Sequence, residues 1–220
     1  MSAPQPLLEP EEARRLLEMT AYERPFWARG LLVAGVDEAG RGPLAGPVVA
    51  AAVVFEPDRL LADVNDSKQL SPERRAGLFE RITELAFDWA VGMASPEEID
   101  RLNILRASHL AMRRALDKLR NLPVHVFVDG LPVSQLPVPH TAIVKGDQRC
   151  YSVAAASIVA KVVRDDIMRE LDDLYPGYGF ARHKGYPTEE HVRAIHRLGL
   201  SPVHRRSFRV RPLRVEKTQL

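Results

Sequence analysis

The chain contains 220 residues, of which 45% are hydrophobic and 27% charged, and its formal net charge is +2. This length and composition suit one domain with a core and a small appendage, whereas no apolar run approaches the roughly 20 residues that cross a bilayer. We therefore exclude a membrane protein. Since the N-terminus shows no secretory signal and the single Cys150 cannot form an internal disulfide, we expect a cytoplasmic location.

From the N-terminus, a proline-rich and then acidic segment, residues 1–30, predicts a helical appendage. β-branched apolar runs at 31–36 and 48–55 predict strands, joined by GRGPLAGP. The later patterns predict a helix at 71–86, a strand at 87–94, helices at 95–100 and 103–120, strands at 124–130 and 141–147, and helices at 152–174 and 187–198. This alternation is typical of an α/β fold.

Basic residues are concentrated in two stretches of this nearly neutral chain. Residues 182–217 contain ten Lys or Arg against three acids, and residues 101–120 contain six against one. Positive surfaces on a neutral chain favour a polyanionic partner such as nucleic acid. Solvated helix faces explain the same charges equally well until a site is found.

Three predicted strands end in carboxylates. Asp37 and Glu38 follow the apolar run at 31–36, Asp129 closes VHVFVD, and Asp147 closes TAIVKGD. If these strands are neighbours, the four acids gather at one end of the sheet, where α/β folds bind ligands. Taken alone, Asp129 or Asp147 is better interpreted as a turn residue beside glycine, so the hypothesis depends on their convergence with Asp37.

Four carboxylates in one place repel one another, and desolvation raises their pKa values. A divalent cation relieves that repulsion, and an all-oxygen ligand set selects Mg²⁺ or Mn²⁺ over Zn²⁺. Together with the basic surfaces, this favours phosphodiester hydrolysis assisted by two ions. Because alternate residues of a strand face opposite sides, Asp37 and Glu38 share a site only if Glu38 lies at the strand end or wraps around the strand's edge.

The stretch GRGPLA also matches the GxGxxA fingerprint of dinucleotide-binding folds. That motif requires a helix to follow, whereas VVAAAVVF predicts a strand, and acids just before the loop repel a pyrophosphate. We therefore disfavour a dinucleotide-dependent oxidoreductase and expect no small-molecule cofactor.

Six blocks run in order along most of the chain: GVDEAGRGPLAGPVVAAAV at 35–53, NDSKQLS at 65–71, VDG at 128–130, VKGDQRCYSVAAASIVAKVVRD at 144–165, GFARHKGYPTEEH at 179–191 and HRRSF at 204–208. Together they resemble bacterial ribonuclease HII, the type 2 ribonuclease H. The GRG form separates this pattern from the sister enzyme ribonuclease HIII, which departs from it at that arginine.

The resemblance implies a ribonuclease H-like α/β fold, a mixed five-stranded sheet flanked by helices, in residues 31–180. A basic helical extension packs on it in residues 181–220. The implied activity is an endoribonuclease that cuts 5′ of ribonucleotides in RNA–DNA hybrids and of single ribonucleotides embedded in duplex DNA. Its products carry a 3′-hydroxyl and a 5′-phosphate, its cofactors are Mg²⁺ or Mn²⁺, with two ions in the substrate complex, and we expect a monomer.

The resemblance also assigns roles to individual residues. The catalytic and metal-binding acids are Asp37, Glu38, Asp129 and Asp147. The 2′-hydroxyl of the substrate is read by the turn of Gly40, Arg41 and Gly42. The sugar at the RNA–DNA junction packs on Tyr186. Further substrate contacts are expected from Lys68, Ser157, Lys161 and Lys184.

Elementary chemistry supports this division of roles. Phosphate contacts do not distinguish RNA from DNA, whereas glycines let backbone groups approach a 2′-hydroxyl closely. Arg41 suits bidentate binding of the neighbouring phosphate. We assign no role to Asp165, and we expect His183 and His204 to be structural or phosphate-facing rather than metal ligands.

Three classes of function stay open at this point: the ribonuclease, a nucleic-acid-binding protein with an inactive site, and the oxidoreductase. Intact acids at all four positions disfavour the second class. Metal-dependent cleavage of a labelled duplex separates the first two, and bound nicotinamide or flavin would reveal the third.

Overall fold

The strands of this computed structural model, which describes residues 9–64 and 70–210, form one five-stranded sheet in the order β3-β2-β1-β4-β5. They are β1 (Val33–Ala39), β2 (Val48–Val54), β3 (Asp88–Ala94), β4 (His125–Asp129) and β5 (His140–Ile143). The pairs β1–β2 and β2–β3 are antiparallel, whereas β1–β4 and β4–β5 are parallel. The expected mixed five-stranded sheet is therefore confirmed, and β1, β4 and β5 all end at the same side of it.

Helices cover both faces of this sheet. In chain order they are α1 (Pro10–Met19), α2 (Arg24–Trp27), α3 (Pro72–Leu85), α4 (Pro96–Leu102), α5 (Ile104–Leu116), α6 (Gly146–Arg149), α7 (Tyr151–Leu174), α8 (Phe180–His183) and α9 (Glu189–Leu198). Across the described part of the chain, none of them is both long and apolar enough to cross a membrane.

Two clusters of buried side chains hold the layers together. On one face, alanines and valines of β1 and β2 pack against α5, and on the other face residues of β2 pack against the alanine-rich start of α7. At Gly35 there is no room for a side chain, because a Cβ would lie 2.0 Å from the backbone carbon of Ser152. This close approach places α7 directly over the end of β1.

Several predicted elements have other ends in the structure. Strand β1, expected at 31–36, runs from Val33 to Ala39, so Asp37 and Glu38 lie inside it rather than after it. The strand expected at 141–147 stops at Ile143, and Asp147 lies in the short helix α6 rather than closing a strand. The reason is Lys145, whose left-handed backbone (φ 57°) cannot continue a strand. The helix expected at 103–120 also ends earlier, at Leu116. Lys68 falls in residues 65–69, outside the described residues.

The structure also lacks the helix that a dinucleotide-binding motif requires directly after residues 40–47. The segment after GRGPLAGP is strand β2, as the sequence predicted, and it pairs antiparallel with β1. A pyrophosphate-binding loop needs the N-terminus of a helix at that place.

Candidate active site

Strand register brings Asp37 and Asp129 together. Val36 of β1 pairs with Val128 of β4 in parallel, so the two aspartates are the next residues on neighbouring strands. Phe127 packs against Val153 of α7, and Asp129, two residues later, faces α7 as well. Asp37 is likewise on this face, where the hydroxyl of Ser157 hydrogen-bonds to it.

Glu38 reaches the same cavity from the other side of β1. It is the second-to-last residue of the strand, and its side chain is only 9% exposed. Arg41 Nη1 donates to Glu38 Oε1 at 3.1 Å, across the turn that follows. Glu38 and Asp37 line one cavity, which agrees with the expectation that Glu38 lies at the strand end.

Burial and mutual repulsion dominate the electrostatics of these acids. Burial raises the pKa of Asp37 well above its ordinary value, and the neighbouring charges of Glu38 and Asp129 raise it further. Burial also raises the pKa of Glu38, against the opposing effect of Arg41. The three carboxylates therefore form one interacting group at the end of β1 and β4.

Asp147 lies in α6, next to a residue that bonds to this group. The Gly146 N–H donates to Asp129 Oδ1 at 2.6 Å, which ties the start of α6 to the end of β4. Asp147 is the next residue and is 2% exposed, but it does not line the cavity that holds the other three acids. The fourth acid of the predicted set thus follows directly after the residue that bonds to Asp129, and its role as a metal ligand stays a prediction.

The cavity has a volume of about 280 Å³ and combines acidic with basic and aromatic walls. Its lining residues are Asp37, Glu38, Ala39, Gly40, Arg41, Gly42, Asp129, Ser157, Lys161, Arg164 and Tyr186. The structure thus brings together every predicted site residue except Asp147, Lys184 and the undescribed Lys68. Lys184 does not line the cavity; its Nζ bonds to the Ala181 carbonyl.

Tyr186 and the GRG turn face each other in this cavity. A Cβ built on Gly42 would lie 3.6 Å from Tyr186 Cε1, an ordinary contact distance. Gly40 is different, because its φ is +96° and its Cβ would lie 1.9 Å from Arg164 Nε. Gly40 is therefore required by the fold, whereas Gly42 leaves open space between the turn and the 42% exposed Tyr186.

Ser157 and Lys161 follow each other on one face of α7 and both line the cavity. Lys161 Nζ donates to Asp165 Oδ1 at 2.6 Å, and Arg75 lies 4.0 Å from the other carboxylate oxygen. Asp165 is consequently engaged in ion pairs outside the cavity lining.

Sequence reasoning missed a set of buried cations and imidazoles behind the cavity. Arg164 and Arg205 are 1% and 2% exposed, and His191 and His204 are buried beside each other. The sequence contains these residues in the block HRRSF and in the predicted helix at 152–174. Because charged residues are ordinarily solvated, nothing in those patterns indicated that the two arginines are buried. The buried positions of His183 and His204 agree with the structural role expected for them.

The acids fit a hard divalent cation by their chemistry. Within residues 9–64 and 70–210, no three Asp, Glu, His or Cys side chains are arranged to hold a metal ion as they stand. Asp37, Glu38 and Asp129 nevertheless offer oxygen donors, and burial, which raises the pKa values of Asp37 and Glu38, disfavours the charged forms that a cation would stabilise. The donor set therefore suits Mg²⁺ or Mn²⁺.

Comparison with known proteins gives one consistent family. A family model described as Ribonuclease HII matches residues 34–211. The chain is 51% identical to ribonuclease HII of Desulfitobacterium hafniense (strain Y51) over 198 residues, covering 90% of this chain and 76% of that protein. It is 49% identical to ribonuclease HII of Acetivibrio thermocellus over 199 residues, covering 90% of this chain and 78% of the relative. The crystal structure of ribonuclease H2 from Pyrococcus horikoshii OT3 matches with a TM-score of 0.70 and 30% identity, over 82% of this chain and 95% of that one.

Proposed function

The chain belongs to the ribonuclease HII family and is a metal-dependent ribonuclease H enzyme, and from that premise we propose its substrates and chemistry. It hydrolyses the phosphodiester bond 5′ of ribonucleotides in RNA–DNA hybrids and of single ribonucleotides embedded in duplex DNA. The products carry a 3′-hydroxyl and a 5′-phosphate.

One observation carries this proposal: Asp37, Glu38 and Asp129 lie in the same cavity of about 280 Å³ as the GRG turn and Tyr186. A nuclease that selects ribonucleotides needs both a hydrolytic group and a contact to the 2′-hydroxyl within one nucleotide of each other. A metal site alone would cut DNA and RNA alike, since phosphates carry no sugar information.

Asp37, Glu38 and Asp129 would hold the ions, with Asp147 contributing from the adjacent helix α6. When bound, two divalent ions supply an activated water and stabilise the leaving oxygen. The burial that raises the pKa of Asp37 also keeps bulk water away from its carboxylate. The Ser157 hydroxyl orients that carboxylate by a hydrogen bond.

The opposite wall positions the substrate. Backbone groups of residues 40–42 approach the 2′-hydroxyl, and Tyr186 packs on the sugar next to it. Arg41 exchanges its bond with Glu38 for a substrate phosphate, which its guanidinium binds bidentately. Lys161 in the cavity lining, Lys184 outside it, and Lys68, which falls outside the described residues, contact the neighbouring backbone phosphates.

The test uses labelled duplexes that are identical except for zero, one or several ribonucleotides, incubated with Mg²⁺, Mn²⁺ or EDTA. We expect cleavage only of ribonucleotide-containing duplexes with a metal present, and product ends that a ligase and a phosphatase identify as 3′-hydroxyl and 5′-phosphate. Cleavage of the all-DNA duplex at the same rate would overturn the proposed selectivity. Binding without cleavage would favour the nucleic-acid-binding alternative.

A further inference from the structure

The block HRRSF has no part in the proposed chemistry, yet residues of this segment are buried behind the cavity. Residues 201–208, here called the C-terminal brace, contain no helix. Ser201, His204 and Arg205 are at most 6% exposed. The Arg205 N–H donates to Leu44 O at 2.8 Å, and the Gly46 N–H donates to Val203 O at 2.9 Å. The brace thus pairs with the connection that follows the GRG turn.

Arg205 directs its guanidinium at the carbonyls of that turn. Its Nη2 donates to Gly40 O at 2.6 Å, its Nη1 to Arg41 O at 3.0 Å, and its Nε to Gly46 O at 2.9 Å. These partners are backbone carbonyls and not carboxylates, and burial lowers the pKa of Arg205 to about 9, against the opposing charge of Asp100. Charged donors form the stronger hydrogen bonds, which makes this a firm constraint on the turn.

The constraint fixes which way the peptide groups of the turn point. A peptide unit is planar and trans, so its N–H points away from its C=O. Because the carbonyls of Gly40 and Arg41 point towards the buried Arg205, the N–H groups of Arg41 and Gly42 point to the opposite side. Residues 40–42 line the cavity, and that opposite side is where a substrate sugar would lie.

Arg164, on α7, bonds to the connection that follows this turn. Its Nε donates to Pro47 O at 3.0 Å, its Nη2 to Ala45 O at 3.2 Å, and its Nη1 to Lys184 O at 3.1 Å. It therefore joins the connection after the GRG turn to the loop that carries Tyr186.

A chain of imidazoles extends from the brace to Tyr186. His204 Nδ1 accepts from the Ser201 N–H at 2.9 Å and lies 2.7 Å from the Ser201 hydroxyl, which leaves the proton of His204 on Nε2. That N–H donates to His191 Nε2 at 3.0 Å. The proton of His191 is then on Nδ1, which donates to the Tyr186 carbonyl at 2.9 Å. His183 stacks on His191 with ring centroids 4.4 Å apart.

We propose that Arg205 and His204 are positioning residues that hold the two substrate-reading elements, the GRG turn and Tyr186, from a single segment. Arg205 aims the backbone N–H groups of the turn at the cavity, and His204 sets the Tyr186 loop through His191. This inference rests on the proposed function and assigns its ribonucleotide selectivity to the C-terminal brace. The brace itself is anchored on α4, where Asp100 accepts from the Ser207 N–H at 2.9 Å and from the Arg206 N–H at 2.8 Å.

The main test is Arg205→Lys, which keeps a positive charge and removes the forked set of donors. The matched control is Arg206→Lys, the same change at the exposed neighbour. We expect Arg205→Lys to lower the single-turnover rate at a lone ribonucleotide by about 100-fold, because a misplacement of about 1 Å has that effect. Its dissociation constant for the duplex, measured by anisotropy in EDTA, should stay within about threefold of the control, since phosphate contacts set affinity.

An equal loss of rate and affinity, or a rate equal to that of Arg206→Lys, would overturn the proposal. These outcomes are separate from failure of the proposed function, which would show as absence of ribonucleotide-dependent cleavage by the unmodified protein.

His204→Gln independently tests the second part of the proposal, in which His204 holds the Tyr186 loop through His191. We expect it to lower the ratio of the cleavage rate at a lone ribonucleotide to the rate within continuous RNA by about tenfold, the size typical of indirect supporting groups. Affinity should not change. An unchanged ratio in a folded protein would overturn the role of His204. Circular dichroism and thermal melting check that each variant is folded. Loss of the folded state in both variants would show that Arg205 and His204 are purely structural residues and would overturn their positioning role.

Discussion

The two walls of the cavity are positioned by different means. Asp37 and Asp129 are placed by the register of neighbouring strands, so backbone hydrogen bonds of the sheet decide where they lie. The GRG turn and Tyr186 are placed by side chains that bond to backbone carbonyls, through Arg205 and His191. We call Asp37, Glu38 and Asp129 the acidic wall, and residues 40–42 with Tyr186, which we propose contact the substrate sugar, the reading wall. The comparison shows that the position of the acidic wall depends on the sheet, whereas the position of the reading wall depends on side chains from segments distant in sequence.

The second arrangement is the more costly one. Burying a guanidinium without a carboxylate partner has a desolvation penalty that carbonyl hydrogen bonds offset only in part. Arg164 and Arg205 also repel each other, which contributes to the lowered pKa of Arg205. Removing a donor from the reading wall should therefore disturb geometry, whereas removing an acid should disturb chemistry.

The largest effect is expected at the acidic wall. Asp37→Asn and Asp129→Asn should each lower the cleavage rate by on the order of 10³-fold, because loss of an anionic ligand removes several kcal/mol of metal-assisted stabilisation. Duplex affinity should change little, since phosphate contacts determine it. Single-turnover rates and dissociation constants at one salt concentration measure both quantities.

The control is Asp166→Asn, which makes the same change at a half-buried position of α7 paired with Arg169. A parallel loss of affinity and rate in the Asp37 or Asp129 variant would mean that these acids are structural, and the contrast between the walls would disappear.

The difference between the walls also explains how far the sequence alone could lead. Asp37 and Asp129 were predictable because an apolar run identifies a strand and a following carboxylate points to the C-terminal part of that strand, although β1 includes Asp37 and continues to Ala39. Asp147 was misplaced, since nothing in VKGD indicates the left-handed Lys145 that ends β5 early. Arg205 could not be assigned, because its partner Gly40 lies 165 positions earlier and only the folded chain supplies the carbonyls.

Substitutions at the two glycines of the GRG turn are expected to affect different quantities, the cleavage rate at Gly42 and the stability at Gly40. Gly42→Ala adds a methyl group at ordinary contact distance from Tyr186, so the protein should fold normally. The methyl group occupies the approach to the 2′-hydroxyl, and we expect about 100-fold slower cleavage at a lone ribonucleotide. Rates combined with urea denaturation of the same preparation measure this.

Gly40→Ala provides the contrast. Its positive φ and the 1.9 Å approach to Arg164 Nε make the substitution strained, and we expect about 1–3 kcal/mol lower unfolding free energy. If Gly42→Ala were destabilised and Gly40→Ala were not, the assignment of the two glycines would have to be reversed.

A smaller effect is expected at Tyr186. Tyr186→Ala should slow cleavage at a lone ribonucleotide by about tenfold, or about 1.4 kcal/mol, through loss of packing on the junction sugar. Cleavage within continuous RNA should slow less, because only the lone ribonucleotide places a deoxyribose immediately 3′ of itself. Tyr186→Phe should retain the wild-type ratio of the two rates. Equal slowing of both reactions in the alanine variant would show that Tyr186 does not read the junction.

The smallest effect concerns pH and the imidazole chain behind Tyr186. Burial lowers the pKa of His191 and of His204 to about 4, from an ordinary value of 6.5. Between those values the unfolded chain binds protons that the folded protein does not, so this contribution to stability is complete above pH 6.5 and is lost as pH falls towards 4. His191→Gln should therefore lose less stability than the wild type between about pH 7 and about pH 5, as measured by urea midpoints. The other titratable groups, His204 and the carboxylates of the acidic wall included, are present in both proteins, so the difference between the two proteins isolates His191. Identical pH slopes would mean that His191 titrates alike in the folded and unfolded states, and that the loop of Tyr186 is not held by a neutral His191.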